Sequence, residues 1–208
     1  MNETRHPVRL VLPAPTPRLA LSQIATTWMV RDMINTPANL LGPAELGARF
    51  GAAVTTISGP ELTSRYPRDR GRRGRPCARP RALHLAWSGS GAGQDAPLVA
   101  LCGKGVCFDS GGLDVKPAAG MLRLKEDMGG AAVALGLARL VIEADLPIRL
   151  SLRIRAVENS VSGSAMRPLD VVRTRHGLTV EVGKPPTQRG SWCWLTSRRK
   201  RRRKIPRC

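Results

Sequence analysis

The stretch between residues 98 and 156 places the tightest constraint on the fold of this chain. Residues 98–102 (LVALC) form an apolar run that predicts a buried strand, and residues 129–144 carry Ala, Leu and Val at helical spacing. Residues 150–156 then alternate apolar side chains with Ser and Arg, as a strand with one buried face does. A strand, a helix of crossover length and a second strand together form a βαβ unit. We therefore predict an α/β fold.

Two helices are predicted ahead of this unit. Apolar residues at helical spacing predict the first over 19–33, with an apolar face formed by Leu21, Ile24, Ala25, Trp28 and Met29. The second should begin near Pro43, because proline suits the first turn of a helix, and run through AELGARFGAAV.

Further strand patterns occur at 82–87 and 178–182. Four prolines in residues 1–17 exclude a regular helix there, so we expect this segment to be a linker. A chain of 208 residues can bury one sizeable α/β core. One domain is therefore expected after the linker.

Charged residues gather where the first strand of the βαβ unit ends. Lys104 and Asp109 lie in a Gly-rich loop predicted after that strand, Lys116 follows, and Asp127 comes just ahead of the helix. Open α/β sheets place their ligand sites at the carboxyl ends of strands. Carboxylates that converge on one pocket repel one another unless a cation, such as a divalent metal ion, neutralises them. A lysine can join such a site as a neutral amine ligand or as a cation that polarises a carbonyl.

A purely structural interpretation of these residues stands beside the metal site. The sequence GKG would form a tight turn, Asp109 and Asp127 would cap turns or helices, and the lysines would be solvated. The order of residues fits neither a GxxxxGK[ST] phosphate-binding loop nor a GxGxxG dinucleotide fingerprint. Spacing alone leaves the metal site and the structural interpretation open.

The formal charge of +19 is concentrated in two short stretches. Residues 68–81 hold seven Arg and one Asp, and residues 184–208 hold ten Lys or Arg and no acidic residue. Positive and negative charges therefore nearly balance in the rest of the chain. A basic tail could bind nucleic acid or a membrane surface. A basic chain end is more often solvated, and no nucleic-acid partner is expected.

Five cysteines without a repeated CxxC pair predict neither a disulfide framework nor a zinc finger. Cys102 and Cys107 are predicted to be buried thiols in a reducing compartment. The N-terminus lacks an apolar segment of signal-peptide length, and no run approaches the roughly 18 apolar residues of a membrane span. We expect a cytoplasmic protein without a membrane partner.

Three sequence blocks carry a resemblance to a known family. The first, GKGVCFDSGGLDVKPAAGMLRLKEDMGGAAV at 103–133, closely resembles GKGxxFDxGGLxxKPxxxMxxMKxDMGGAA of the leucyl (cytosol) aminopeptidases. Residues 31–46, RDMINTPANLLGPAEL, are similar to the family's RDLxNTPAN segment. Residues 157–182, VENSVSGSAMRPLDVVRTRHGLTVEV, are similar to AENMxxGxAxRPGDVxxxxxGxTVEV. Matches this long are far more specific than a short motif, and they place the first part of the family's catalytic domain at 18–183.

The resemblance implies a three-layer α/β/α sandwich, a homo-hexamer, peptide substrates and two divalent ions, of Mn, Zn or Mg. The ions would activate a bridging hydroxide that attacks the scissile carbonyl of an N-terminal, leucine-type residue. Lys104 and Asp109 match metal ligands, with Asp109 bridging the ions, and Asp127 matches a ligand of the more exchangeable ion. Lys116 matches the catalytic lysine that polarises the carbonyl and supports the oxyanion. Asp114 matches no functional residue and is expected to be solvated.

The segment after 182 departs from the family's pattern. The family continues NTDAEGRL, which supplies an Asp and a Glu as further ligands and a catalytic Arg. This chain continues GKPPTQRGSWCWLTSRRKRRRKIPRC and has no Asp or Glu after Glu181. Codons that can encode TQRG at 187–190 encode DAEG when the frame shifts by one nucleotide, and SWCWLT at 191–196 likewise becomes LVLAD. We interpret 184–208 as an aberrant, out-of-frame basic tail.

A similar shift turns RDRGR at 68–72 into Ala-Ile-Ala-Val-Gly, which suits an α/β core better than the arginines do. The sequence thus predicts an incomplete two-metal aminopeptidase. Three ligands leave each ion under-coordinated, so we expect little or no peptidase activity from this polypeptide. The alternatives are a non-catalytic homologue, or a binding module that uses its basic tail on nucleic acid or a membrane surface.

Overall fold

The computed structural model describes residues 16–49, 54–65, 79–111, 116–160, 167–173 and 177–182. Most of the predicted linker and the whole of the tail at 184–208 lie outside these ranges, as does Asp114. The described elements, in chain order, are α1 (Arg18–Asn35), α2 (Pro43–Ala48), β1 (Thr55–Ser58), α3 (Gly59–Arg65), β2 (Arg81–Ser88), β3 (Leu98–Asp109), α4 (Ala118–Met121), a 3₁₀ helix (Leu124–Met128), α5 (Gly129–Glu143), β4 (Arg149–Asn159), β5 (Val171–Arg173) and β6 (Thr179–Glu181).

The first four strands form one mixed sheet in the order β1-β2-β4-β3. Strands β3 and β4 are parallel and α5 connects them, whereas β1 with β2 and β2 with β4 are antiparallel. The predicted βαβ unit and the α/β fold class are therefore confirmed. Strands β5 and β6 form a separate antiparallel pair. None of the described helices is long and apolar enough to cross a membrane.

One face of the sheet packs against helices and forms the main core. Along β4, Leu150, Leu152 and Ile154 are almost fully buried, while the residues between them are Ser and Arg. This alternation follows from the two-residue repeat of a strand, which turns every second side chain to the same face. Helix α5 lies on that face with a row of small buried residues that includes Ala131 and Ala138. Small side chains let the helix approach the sheet closely.

The opposite face is covered at one end only. Leu62 of α3 packs there against Ile57 of β1 and Ala82 of β2. Toward β3 the same face is exposed, and Leu98 keeps 62% of its surface accessible to solvent. The three-layer α/β/α arrangement is thus complete only beside β1 and β2.

The structure corrects the predicted apolar face of the first helix. Trp28 and Leu21 are exposed, and the residues that α1 buries are Thr26 and Met33. Helix α1 packs on α5, where a Cβ added to Gly136 would lie only 3.0 Å from a Thr26 methyl group. Contact with a glycine-containing helix, and not with the sheet, decides which face of α1 is buried.

Several element boundaries also differ from the prediction. Helix α2 begins at Pro43 as expected but ends at Ala48, and residues 50–53 of its predicted continuation lie outside the described ranges. Elements β1, α3 and β5 carried no clear pattern and were not predicted. Cys107 is buried as predicted, but Cys102 is exposed. The reason is that Cys102 faces the uncovered side of the sheet.

Candidate functional site

Strand β3 carries two of the four predicted site residues, and it is longer than the sequence predicted. The strand continues through GKG to Asp109, so Lys104 and Asp109 lie on the strand and not in a loop. Gly103 is required by packing, because a Cβ at this position would lie 2.6 Å from the carbonyl oxygen of Gly130. Gly103 therefore allows α5 to approach β3, and the GKG segment continues the strand and does not form the predicted turn.

A β-bulge between Val106 and Asp109 determines where the Asp109 side chain points. Val106 pairs with Val157, yet Asp109 pairs with Asn159, so β3 contains one more residue than β4 over this interval. Without the extra residue, Asp109 and Lys104 would face opposite sides of the strand. The bulge places Asp109 beside Asn159 and on the same side as Lys104.

Asp109 lies in a dense hydrogen-bond network. Lys116 Nζ donates to Oδ2 at 2.9 Å, while Asn159 Nδ2 at 2.6 Å and the Gly111 amide at 3.2 Å donate to Oδ1. Burial is the largest single influence on this carboxyl and raises its pKa, but the hydrogen bonds together outweigh burial and lower the pKa to about 2. Asp109 is therefore a carboxylate at any physiological pH.

Asp127 forms the second cation–carboxylate pair. Lys104 Nζ lies 2.6 Å from Asp127 Oδ1, and the lysine side chain is 58% exposed whereas that of Asp127 is 23% exposed. The other carboxylate oxygen, Oδ2, is buried and has no hydrogen-bond partner among the described residues. An ionised oxygen without a donor is costly to bury, so this atom has the chemistry of an available ligand for a cation.

The structure places the four predicted residues in two pairs, Lys104 with Asp127 and Lys116 with Asp109. Within the described ranges there is no group of three or more His, Cys, Asp or Glu residues that could hold a metal ion. The described site consequently offers two carboxylates and two amines. Both oxygens of Asp109 accept hydrogen bonds, whereas Oδ2 of Asp127 has no donor among the described residues.

Sequence reasoning missed the residues that support Asp109 from β4. Asn159 donates to Asp109, and its neighbour Glu158 accepts from Arg167 Nη1 at 2.5 Å. Arg167 lies over the ring of Phe108, 5.6 Å from its centroid, and 3.5 Å from Asp170 Oδ1. Both side chains of the Glu158–Arg167 pair are nearly buried. Asn159 and Glu158 belong to the VEN segment of the third sequence block, and Arg167 and Asp170 to its RPLD segment. The sequence alone does not show that the two segments are in contact.

Comparisons with known proteins decide the family. Residues 28–185 match the family model described as the cytosol aminopeptidase family, catalytic domain. The chain belongs to the cytosol aminopeptidase family. The protein named "Probable cytosol aminopeptidase" of Sinorhizobium fredii is 39% identical over 170 residues, which cover 74% of this chain and 32% of that protein. The chain therefore spans about a third of the length of this relative.

Two solved structures have the same fold over the part that this chain matches. The cytosol aminopeptidase of Coxiella burnetii is 43% identical, with a TM-score of 0.63 over 79% of this chain and 37% of that one. The bottromycin maturation enzyme BotP, solved in complex with Mn, is 31% identical, with a TM-score of 0.61 over 78% of this chain and 36% of that one. The resemblance seen in the sequence blocks is confirmed at the level of the family and its catalytic domain.

Proposed function

We propose that the two pairs form part of a two-metal aminopeptidase centre that releases N-terminal residues from peptides. Lys104, Asp109 and Asp127 would be the metal ligands, and Lys116 the catalytic group. The unpaired, buried Oδ2 of Asp127 carries this proposal, because a metal ion would bind the carboxylate oxygen that no described donor reaches. The Mn complex of BotP, which is similar to this chain, gives independent support.

Bound divalent ions would supply Lewis acidity and an activated water molecule. The role of Lys116 follows from its contact with Asp109. Its Nζ lies 2.9 Å from the Asp109 carboxylate, whose pKa is lowered to about 2, so this carboxylate is charged at neutral pH and pairs with the lysine. A substrate carbonyl that accepts a hydrogen bond from Lys116 would be polarised by a full positive charge, which favours attack on its carbon.

Two carboxylates do not neutralise two divalent ions. Ligand charge contributes strongly to affinity for hard cations, so Asp109 and Asp127 alone should hold them weakly. We expect the isolated chain to bind metal weakly and to have little or no peptidase activity. Preference for leucine-type N-terminal residues and assembly into a hexamer remain predictions from the family resemblance.

Metal binding provides the first test. Titration of the purified chain with Mn²⁺, followed by calorimetry, should detect binding that weakens at least tenfold in Asp127→Asn, because the substitution removes ligand charge. Asp95→Asn is the matched control, since Asp95 lies in a turn between β2 and β3 that contributes no proposed ligand. Equal affinities of the two variants would contradict the assignment of Asp127 as a ligand.

Activity should be measured on the same samples. The chain is expected not to hydrolyse leucine 4-nitroanilide, with or without added Mn²⁺. Hydrolysis that is lost on chelation and in Lys116→Ala would contradict the expected inactivity while supporting the proposed chemistry. Hydrolysis that survives both changes would contradict the two-metal site itself.

We also propose that the tail at 184–208 is out of frame. Resequencing the gene across codons 183–208 should find a one-nucleotide offset that restores Asp-Ala-Glu-Gly in place of TQRG at 187–190. The same experiment across codons 66–82 should replace the arginine run with an apolar segment. Absence of any frame that encodes Asp-Ala-Glu-Gly would refute the hypothesis for the tail.

A further inference from the structure

The two oxygens of Asp109, the proposed ligand at the end of β3, are bound by different kinds of donor. Oδ1 accepts from Asn159 Nδ2 at 2.6 Å and from the Gly111 amide at 3.2 Å, whereas Oδ2 accepts from Lys116 Nζ at 2.9 Å. Amide groups thus hold one oxygen, and the ammonium group of a lysine meets the other. This difference bears on which oxygen can bind a cation.

The donors on the two oxygens also differ in how easily they can move. Lys116 has a long, flexible side chain that is 40% exposed, so its ammonium group can leave Oδ2 for solvent. Asn159 has a short, half-buried side chain on β4, directly opposite Asp109 in the strand register. The exchangeable donor is therefore at Oδ2, and the fixed donor is at Oδ1.

The backbone of Asn159 is itself held in place. The amide and the hydroxyl group of Ser110 both donate to the Asn159 carbonyl oxygen, at 2.9 and 2.8 Å. The preceding residue, Glu158, forms the nearly buried ion pair with Arg167. Because its carbonyl group and the residue before it are both held, Asn159 has little freedom to follow a rotating carboxylate.

The contact between Asn159 and Asp109 opposes rotation of the Asp109 carboxylate. The amide nitrogen of Asn159 must face Oδ1, because an amide oxygen only 2.6 Å from a carboxylate oxygen would be repelled. Hydrogen bonds to a charged acceptor are stronger than those between neutral groups. Rotation of the carboxylate would break this bond and the bond from the Gly111 amide to the same oxygen.

We propose that Asn159 is a positioning residue for the metal centre, which holds Oδ1 of Asp109 so that Oδ2 is the oxygen presented to a metal ion. This inference rests on the proposed function, in which Asp109 is a ligand. Asn159 contacts neither the metal ion nor the substrate and acts through Asp109. Lys116 Nζ leaves Oδ2 when a cation binds there, and the lysine then becomes available to a substrate carbonyl.

A purely structural role for Asn159 makes a different prediction. Asn159→Leu keeps much of the side-chain volume and removes the donor. If Asn159 only satisfies a carboxylate, the free energy of unfolding falls and the Mn²⁺ affinity of the folded chain does not change. If Asn159 positions Asp109, Mn²⁺ affinity should fall about tenfold, as it does when a residue that orients a metal ligand is lost. Calorimetry and urea denaturation of the full-length chain measure the two quantities.

Two further variants accompany Asn159→Leu. Ser110→Ala is the matched control, because it removes one hydrogen bond where β3 meets β4 while the Ser110 backbone amide still holds the Asn159 carbonyl oxygen. Its Mn²⁺ affinity should not change. Asn159→Gln keeps an amide on a longer side chain, which displaces the donor from Oδ1, so its Mn²⁺ affinity should also fall. This polar variant replaces Asn159→Leu if the leucine variant does not fold.

NMR spectroscopy of the isotope-labelled chain tests which oxygen the cation takes. The side-chain amide proton that Asn159 donates to Oδ1 should resonate downfield of its geminal partner, and its loss in Asn159→Leu assigns the signal. Excess Mg²⁺ is a diamagnetic probe of the site. The downfield shift should persist when Mg²⁺ is added, because the cation binds at Oδ2. Disappearance of the shift would mean that the cation displaces Asn159 from Asp109, which would overturn the proposal.

The outcomes separate this inference from the proposed function. If Asp127→Asn weakens Mn²⁺ binding but Asn159→Leu and Asn159→Gln do not, the metal centre stands and the positioning role of Asn159 is refuted. Equal weakening by Ser110→Ala and Asn159→Leu would also refute that role, because the contact with the Asp109 carboxylate would then have no special effect. If the unmodified chain does not bind Mn²⁺, the proposed function fails, and the inference about Asn159 fails with it.

Discussion

Replacement of Arg167 with methionine is expected to lower the free energy of unfolding by about 4 kcal/mol. The Arg167 side chain is 8% exposed and that of Glu158 is 7% exposed, so this ion pair is shielded from solvent. Methionine preserves much of the side-chain volume but leaves the carboxylates of Glu158 and Asp170 without their cation. A buried charge that loses its partner lowers the free energy of unfolding by far more than the intact pair raises it. Urea denaturation followed by circular dichroism measures the difference.

Arg139→Met is the matched control for this prediction. Arg139 pairs with Glu143 one helical turn away, but the two side chains are 39% and 28% exposed. Partly exposed pairs of this kind contribute about 0.5 kcal/mol. The double variant Glu158→Gln/Arg167→Met should recover part of the stability, because it also removes one stranded charge. If Arg167→Met were as stable as Arg139→Met, the buried contacts of Arg167 with Glu158 and Asp170 would contribute little to the free energy of unfolding.

The parts of the fold that sequence predicted are those fixed by local periodicity. The alternation along β4 and the helical spacing in α5 reflect which side chains face the core, and both elements occur where they were expected. Asp127 was placed ahead of a helix, and it lies in the 3₁₀ helix that leads into α5. Each of these predictions needed only residues adjacent in sequence.

The errors arose where a distant neighbour decides the conformation. Gly103 and Gly105 suggested a loop, but each is a site of close backbone approach inside a strand. A Cβ on Gly105 would lie 2.7 Å from the carbonyl oxygen of Arg155, a contact that no local pattern reveals. The exposure of Trp28 has the same origin, because the position of Gly136 on another helix selects the buried face of α1.

The site residues were predicted through family resemblance, and their geometry required the structure. Spacing alone left a metal site and a set of caps equally open. The bulge after Val106, which turns Asp109 toward Lys116, has no sequence signature of its own. Asn159 is 50 residues from Asp109 and was not predicted, although its amide donates the shortest hydrogen bond to that carboxylate.

Gly103→Ala is expected to lower the free energy of unfolding by about 3 kcal/mol, near the upper end for overpacking, because the obstacle is backbone. The added methyl group would lie 2.6 Å from the Gly130 carbonyl oxygen and 2.7 Å from Ala131 Cα. Neither atom can rotate away, so the N-terminus of α5 must move from β3. Chemical denaturation measures the loss. Gly93→Ala, which has no atom within 4 Å of the added Cβ, should change stability by less than about 0.5 kcal/mol.

The same substitution links the packing of α5 to the proposed metal centre. Asp127 lies in the 3₁₀ helix that ends where α5 begins, and its partner Lys104 follows Gly103 directly on β3. A displacement of α5 therefore changes the distance between these two groups, and Mn²⁺ affinity should fall together with stability in Gly103→Ala but remain unchanged in Gly93→Ala. Loss of stability with unchanged Mn²⁺ affinity would show that the position of Asp127 does not depend on α5. Loss of both stability and Mn²⁺ affinity would show that the close packing of α5 on Gly103 holds Asp127 beside Lys104.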